Sequence, residues 1–444
     1  MVQPLRRGTT DRVIHWRWRR FKLFAVSLLG RFPPLKWLLH YVWKGASLLC
    51  YKWRVGKLVT ARGGEFDVDK IYWVDPERIK YSSLIEFQIH KNKGKVIGGT
   101  WDQLEKRVED LNVYVSFKER FMEGKKWEDT SLYQWLLNEI GNGRFWRNCR
   151  NRSDLERRFE KLDFLFQSIK NTGYKCRNEV LSEENACAPI LLEDEIAVNV
   201  GRNGDLLLNN GVHRFAIVKL LGIRQIPVKI TVRHSQWVKF RSEVLLYAKG
   251  RPDGKLYQPI THPDLQDLPS LYDSEFKRFN IIQENLSVTK GRLLDIGAHW
   301  GYFCHRFEEL GFDCYAVEND GASVHFLRKL KRAENRQFKI VPMSIFEYQD
   351  VENLYFDVVL ALNIFHHFLK EKNSYLKLLN LLKRLKLKEM YFQPNCPSEP
   401  QMRGAYKVYS EEEFVEFILQ ASKLNKAKFL GRAQGGRGIY KLSE

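Results

Sequence analysis

Apolar residues around position 295 form two short runs separated by a segment with helical spacing. Leu293, Leu294 and Ile296 make the first run, which leads into a turn containing glycine. After Gly311 the second run begins, and it ends at the acidic residue Glu318. This order predicts a strand, a helix and a second strand, which together are a βαβ unit.

The turn between the first strand and the helix has the features of a ligand-binding loop. Gly297 and Gly301 allow the backbone to approach a ligand closely, and Glu318 can accept hydrogen bonds from the hydroxyls of a ribose. The Gly-x-Gly-x-x-Gly pattern that places pyrophosphate on a helix N-terminus is not present. Asp295 precedes the turn and would repel phosphates, so the loop favours a cationic nucleoside ligand.

These residues resemble the cofactor-binding motif of the class I methyltransferases that use S-adenosylmethionine (SAM). Asp295, Gly297 and Gly301 fall on the family's Asp-x-Gly-x-Gly-x-Gly turn, with His299 in the place of the middle glycine. Glu318 falls on the family's ribose-binding acid. The resemblance implies a Rossmann-like, seven-stranded α/β sheet with SAM as the cofactor bound by these residues.

A second apolar segment, residues 356–362, is followed by Asn363, His366 and His367 and resembles the family's fourth strand. Ligands of open α/β sheets lie beyond the carboxyl ends of the strands, so Asn363 is a predicted cofactor contact. His366 and His367 are predicted catalytic residues, because an imidazole there could accept a proton from the methyl acceptor. The alternative is that both histidines only shape the pocket.

The resemblance covers about residues 270–444. A helix is predicted over residues 375–387 and a fifth strand over residues 390–393. Residues 429–431 and 438–441 are predicted to close the sheet as an antiparallel pair.

The middle of the chain, residues 61–250, predicts a separate α+β domain. Its apolar runs at 196–200, 205–208 and 226–232 predict strands, and residues 215–221 predict a helix. The preceding charged region has helical spacing, in which three tryptophans are predicted core residues: Trp127, Trp135 and Trp146.

Residues 190–235 of this domain resemble the ParB/sulfiredoxin-like fold. Gly211, His213 and Arg214 open its helix, at a turn that binds nucleotide phosphates in that superfamily. A helix N-terminus and two donor side chains suit an anion, so these three residues are a candidate phosphate site. Val212 stands where sulfiredoxins carry their reactive cysteine, and the ParB Gly-Glu-Arg-Arg box is absent. The alternative is a scaffold in which Arg214 forms a structural salt bridge.

The N-terminal arm, residues 1–60, carries much of the charge. It holds 13 Lys and Arg and one acid, Asp11, so it contributes +12 of the net +20, together with five tryptophans. Its apolar runs at 23–29 and 37–50 are broken by charges and fall short of the roughly 20 apolar residues of a membrane span. We interpret the arm as helices lying at a membrane surface, with a nucleic-acid-binding arm or a helical hairpin packed on the protein as alternatives.

The cysteines and residues 251–269 add predictions about the cellular location and the domain organisation of the protein. The 7 cysteines form no Cys-x-x-Cys pair, which argues against a metal site and a disulfide framework and favours the cytoplasm, with peripheral membrane contact. Residues 251–269 read as a linker whose polar and aromatic residues could cover the cofactor.

The sequence therefore predicts SAM-dependent methyl transfer to a small molecule, glycan or lipid-linked saccharide near a membrane. One alternative is an RNA methyltransferase. The other is a nucleotide-binding or small-molecule kinase module beside a degenerate methyltransferase fold. The sequence does not specify the acceptor or the oligomeric state.

Overall fold

A computed structural model describes most of the chain from position 66 onward. The described residues are 66–67, 69–83, 92–103, 106–144, 149–176, 195–271, 275–433 and 436–444. The predicted arm of residues 1–60 and Trp146 lie outside them. The described residues all belong to one compact unit, Gly64–Glu444, and its strands make two seven-stranded sheets.

The first sheet is mixed and lies in the middle of the chain. Its strands are β1 (Ile71–Val74), β2 (Tyr81–Ser82), β3 (Val96–Ile97), β4 (Lys106–Arg107), β5 (Ile196–Val200), β6 (Leu206–Asn210) and β7 (Ile226–His234). The order is β1-β7-β5-β6-β2-β4, with β3 also paired to β7. Every residue of β5 is buried, including the polar Asn199, so both faces of the strand lie inside the protein. The three strands predicted for this region are confirmed as β5, β6 and β7.

Five helices accompany the first sheet: α1 (Asn112–Phe121), α2 (Ser131–Gly141), α3 (Arg152–Thr172), α4 (Val212–Leu220) and α5 (Ser235–Gly250). Trp127 is buried between α1 and α2, as predicted. Trp135 is 43% exposed, so its predicted core position was wrong. Helix α2 buries the face formed by Leu132, Tyr133 and Leu136, and position 135 lies outside that face.

The second sheet contains the predicted βαβ unit. Its strands are β8 (Gly291–Ile296), β9 (Phe312–Val317), β10 (Lys339–Val341), β11 (Tyr355–Leu362), β12 (Lys386–Gln393), β13 (Lys426–Arg432) and β14 (Gly438–Ser443). They follow the order β10-β9-β8-β11-β12-β14-β13. The first five run parallel, whereas β14 is antiparallel to both β12 and β13. The predicted seven-stranded α/β sheet with a closing antiparallel pair is therefore confirmed.

Helices pack on both faces of the second sheet: α6 (Glu275–Glu284), α7 (Tyr302–Glu309), α8 (Gly321–Ala333), α9 (Lys372–Arg384) and α10 (Glu411–Ala421). Helix α9 ends before the predicted boundary at residue 387. Leu385 and Leu387 are both buried, in the alternate spacing of a strand, and β12 has already begun at Lys386. None of the described helices has the length and apolar character needed to cross a bilayer.

The segment between the two sheets, residues 251–269, is held in place by buried polar contacts and is called the connecting segment below. Asp264 lies 2.6 Å from Arg233 of β7 and accepts a hydrogen bond of 2.8 Å from the indole of Trp237. Past the end of α8, the buried carboxylate of Glu334 lies 3.0 Å from Arg78 of the first-sheet region. Such contacts hold the first sheet and the connecting segment against the second sheet.

Candidate active site

A cleft of about 460 Å³ lies at the carboxyl ends of β8, β9 and β11. The central position of β8 between β9 and β11 brings three strand ends to one edge of the sheet, where ligands of such folds bind. The polar side chains that line the cleft include Arg278, Asp295, Glu318, Asp320, Asn363 and His367. Gly297 also lines it, so four of the five predicted cofactor residues share the cleft.

The turn after β8 requires glycine. Gly297 has φ +78°, and a Cβ at that position would lie 2.8 Å from Cδ1 of Ile364. The fifth predicted cofactor residue, Gly301, has φ +81° and precedes α7. His299 also adopts a positive φ of 53°, a conformation that is rare for residues with a side chain. Thus the middle position of the turn keeps a left-handed backbone although it holds histidine.

Glu318 follows β9, and the backbone fixes its carboxylate. Oε2 accepts a hydrogen bond of 2.9 Å from the N–H of His299, and Oε1 accepts one of 2.8 Å from the N–H of Asp320. A carboxylate oxygen has two lone pairs, so each oxygen can still accept a hydrogen bond from a ligand. The backbone of the turn therefore orients the acid that the sequence predicts to bind ribose.

Asp295 is the most electrostatically perturbed acid in the cleft. Burial and the nearby charge of Glu318 raise its pKa to about 7, against the opposing effect of Arg278 and a weak hydrogen bond from Cys304. The Sγ of Cys304 lies 3.9 Å from the carboxylate of Asp295. Two buried carboxylates in one cleft repel each other, so a cationic ligand would stabilise both in their ionised form.

Arg278 is a cleft residue that the sequence did not reveal. It lies on α6, is buried, and donates a hydrogen bond of 2.7 Å to the side-chain oxygen of Gln393 at the end of β12. Its guanidinium carbon lies 5.4 Å from the centre of the Phe303 ring. Helix α6 precedes β8 and carries no recognisable motif, so only the tertiary packing brings this cation to the cleft.

Asn363 and its neighbours form the other wall of the cleft. Asn363 has φ +57°, and its side-chain oxygen accepts a hydrogen bond of 2.5 Å from Arg437. Arg437 also lies 2.6 Å from the carboxylate of Glu399. No sequence motif indicated Arg437 or Glu399, which come from segments far apart along the chain.

The two predicted catalytic histidines occupy different environments. His367 lines the cleft, and its Nδ1 lies 3.4 Å from the Nζ of Lys370. Burial, Lys370 and Arg437 lower the pKa of His367. His367 is therefore neutral at neutral pH, the form that can accept a proton.

His366 is buried 4.1 Å from the ring of His367 and is not among the residues that line the cleft. Burial, His367 and Arg437 lower the pKa of His366 to about 3. Neither ring nitrogen of His366 has a hydrogen-bond partner within the described part of the chain. The geometry therefore favours His367 over His366 as a group that could reach an acceptor.

The connecting segment covers part of the cleft. Tyr257 and Gln258 line it, and the ring of Tyr257 is centred 5.2 Å from the ring of His299. From α5, the hydroxyl of Tyr247 lies 3.3 Å from Nε2 of His299. The sequence predicted a cover in this region but not which residues form it.

The predicted phosphate site lies at the start of α4. Gly211 caps this helix with φ +80°, and the ring of His213 lies 5.6 Å from that of Phe117. Arg214 is 6% exposed and donates a hydrogen bond of 3.4 Å to the hydroxyl of Tyr174. The guanidinium thus has a partner inside the protein, and both phosphate binding and the ParB/sulfiredoxin-like assignment stay predictions.

Comparison with protein families gives a match in the C-terminal region. Residues 294–385 match the family described as a methyltransferase domain. No curated protein matches the sequence. The matched residues begin within β8 and end just after α9.

Solved structures give weaker likenesses. WbdD, which one structure describes as a bifunctional kinase-methyltransferase, is 19% identical in its 2.2 Å crystal structure, with a TM-score of 0.37 over 45% of this chain and 46% of that chain. A SAM-dependent methyltransferase from Archaeoglobus fulgidus is 16% identical, with a TM-score of 0.29 over 38% of this chain and 92% of that chain. The match spans less than half the length of WbdD.

Proposed function

We propose that the chain transfers a methyl group from SAM to an acceptor that enters the cleft beside His367. The observation that carries the proposal is the pair Asp295 and Glu318, which lie at adjacent strand ends around a glycine turn with a left-handed backbone. SAM would supply an electrophilic methyl group on a sulfonium. The residues of the chain would bind the donor, orient the acceptor and take up a proton.

The charges of the cleft fit SAM. Asp295 is buried, and its pKa of about 7 means that a nearby positive charge would favour its ionised form. Two backbone N–H groups hold the carboxylate of Glu318, and each of its oxygens can still accept a hydrogen bond from a ribose hydroxyl. Arg278 contributes a buried cation to the same cleft and would pair with the carboxylate of the methionine part.

The acceptor would lie on the side of Asn363 and His367. Neutral His367 would take the proton if the acceptor is a hydroxyl or an amine, and Lys370 and Arg437 favour that neutral form. Arg437 holds Asn363 and Glu399 together, which would fix the wall against which the acceptor is oriented.

The acceptor class rests on the composition of the N-terminal arm. Basic residues mixed with tryptophan favour a membrane surface, and hence a glycan, a lipid-linked saccharide or another amphiphile as acceptor. An RNA acceptor is the second candidate. Binding to anionic vesicles that is lost on removal of residues 1–60 supports the first candidate, whereas salt-sensitive RNA binding lost on the same deletion supports the second.

Calorimetric titration of SAM into the full chain tests the proposal. We expect micromolar binding that Glu318→Ala weakens at least about tenfold, because hydrogen bonds to a charged acceptor are lost. Glu371→Ala, which removes an exposed acid at the start of α9, should leave the affinity unchanged. Failure of the folded wild-type protein to bind SAM would refute the proposal.

A further inference from the structure

Gln258 lines the cleft, but none of the contacts described above involves its side-chain amide. It lies in the connecting segment, lines the same cleft as Asp295 and Glu318, and is 5% exposed. Its amide oxygen, Oε1, is enclosed, and no group in the described part of the chain donates a hydrogen bond to it. A buried amide without a partner is unfavourable, so such a group in a ligand cleft indicates that a ligand supplies the partner.

The neighbours of Gln258 indicate which part of the cleft it serves. The ring of the preceding residue, Tyr257, lies 5.2 Å from the ring of His299. The N–H of His299 in turn donates to the carboxylate of Glu318 at 2.9 Å. These contacts connect the residue before Gln258 to the turn that holds Glu318, and both Gln258 and Glu318 line the cleft.

The segment that carries Gln258 is anchored on both sides. Before it, the hydroxyl of Tyr247 lies 3.3 Å from His299. After it, the buried ring of His262 lies 2.8 Å from the carbonyl oxygen of Gly204, and Asp264 pairs with Arg233. The amide is therefore held in place before a ligand arrives, which lowers the entropy lost on binding.

We propose that Gln258 binds a ribose hydroxyl of the methyl donor, so that the connecting segment supplies one wall of the donor site. The inference rests on the proposed function, because it takes the ligand to be a SAM nucleoside. A ribose carries two neighbouring hydroxyls, and one can donate to Glu318 while the other faces the amide.

The chemistry of an amide favours a hydroxyl over the other polar groups of SAM. A hydroxyl both donates and accepts, so it matches either end of the Gln258 side chain. The sulfonium and the ammonium are cations that call for a negative partner, which Asp295 provides. The carboxylate calls for a cation, which Arg278 provides.

Binding of S-adenosylhomocysteine and its 2′-deoxy and 3′-deoxy analogues to the full chain tests the inference. We expect Gln258→Leu to weaken S-adenosylhomocysteine about tenfold, the size of one hydrogen bond in a closed site. We also expect the wild-type protein to bind one of the deoxy analogues about tenfold more weakly than S-adenosylhomocysteine. The variant should no longer distinguish that analogue from the parent compound.

Gln283→Leu, which makes the same change at an exposed position of α6, is the matched control and should bind like wild type. Gln258→Met, whose unbranched side chain follows the path of glutamine, should reproduce the effect if the leucine variant does not fold. Thermal melting establishes that each variant tested is folded.

Three outcomes separate the inference from the proposed function. Unchanged affinity of Gln258→Leu would overturn the inference alone. The inference would also be overturned if Gln258→Leu binds S-adenosylhomocysteine more weakly but still loses the same factor as wild type for each deoxy analogue. The amide would then not act through a ribose hydroxyl. No binding of S-adenosylhomocysteine to folded wild-type protein would overturn the proposed function and the inference together.

Discussion

Replacing Asp295 with asparagine should stabilise the ligand-free protein while weakening SAM binding. The carboxyl is 3% exposed and shares the cleft with Glu318, and these two features raise its pKa from 3.8 to about 7. Asparagine has nearly the same shape and does not ionise, so Asp295→Asn removes the buried charge with little change in packing. A group that destabilises the fold yet occupies the cleft is expected to serve a ligand.

The size and sign of the effect follow from proton linkage. Below pH 3.8 the carboxyl is protonated in both the unfolded and the folded protein, so its charge has no effect on stability. Between pH 3.8 and about 7 the unfolded chain ionises first, and the folded state loses stability as pH rises. At about 1.36 kcal/mol per pH unit, the loss reaches about 4 kcal/mol above pH 7.

Guanidinium unfolding of wild type and Asp295→Asn at several pH values measures this difference directly. The free energy of unfolding of the variant, relative to wild type, should rise by about 4 kcal/mol between pH 4 and pH 8, because groups that do not interact with position 295 cancel in the comparison. The SAM affinity of wild type should rise with pH up to about 7, and that of the variant should stay low and flat. A stability difference that does not change with pH would show that the pKa of Asp295 is not raised in the folded protein.

Three further substitutions test the fold and the site. Glu334→Leu should lower the free energy of unfolding by about 3 kcal/mol, because it removes the buried carboxylate that pairs with half-buried Arg78; a loss below about 1 kcal/mol in denaturant titration would contradict this. Gly204→Ala should lower it by at least about 2 kcal/mol, because φ is +98° and the new Cβ would lie 2.6 Å from an atom of α8; a thermal melt like that of wild type would contradict this. His367→Ala should reduce methyl transfer at least about tenfold and leave SAM affinity intact; equal transfer by His367→Ala and wild type would remove the proposed base.

The sequence alone predicted those features of the fold that depend on residues close together along the chain. The strand before Gly297 and the acid after the second strand are local patterns, and both appear at the predicted places. The positive φ at Gly297 is likewise a local demand that glycine meets. The parallel pairing of β8 to β12 follows from the alternation of apolar runs and helices.

The sequence alone did not predict those parts of the site at which distant segments of the chain meet. Arg278 and Gln258 line the cleft from a helix and from the connecting segment, and Arg437 bonds Asn363 from the turn between β13 and β14. None of these three residues belongs to a local motif. His366 and His367 are adjacent in a turn, and only the fold shows that the second lines the cleft. Tertiary packing decides such positions, and periodicity does not encode it.

Competition binding decides between a SAM site in the cleft and a nucleotide site elsewhere. The chain of residues 1–444 is titrated with SAM alone, and then in the presence of S-adenosylhomocysteine or ATP. We expect micromolar SAM binding that S-adenosylhomocysteine displaces, that ATP does not displace, and that Glu318→Ala weakens. Folded protein that does not bind SAM but binds ATP, with ATP binding lost in Arg214→Ala, would refute the donor site and favour a nucleotide site at the start of α4.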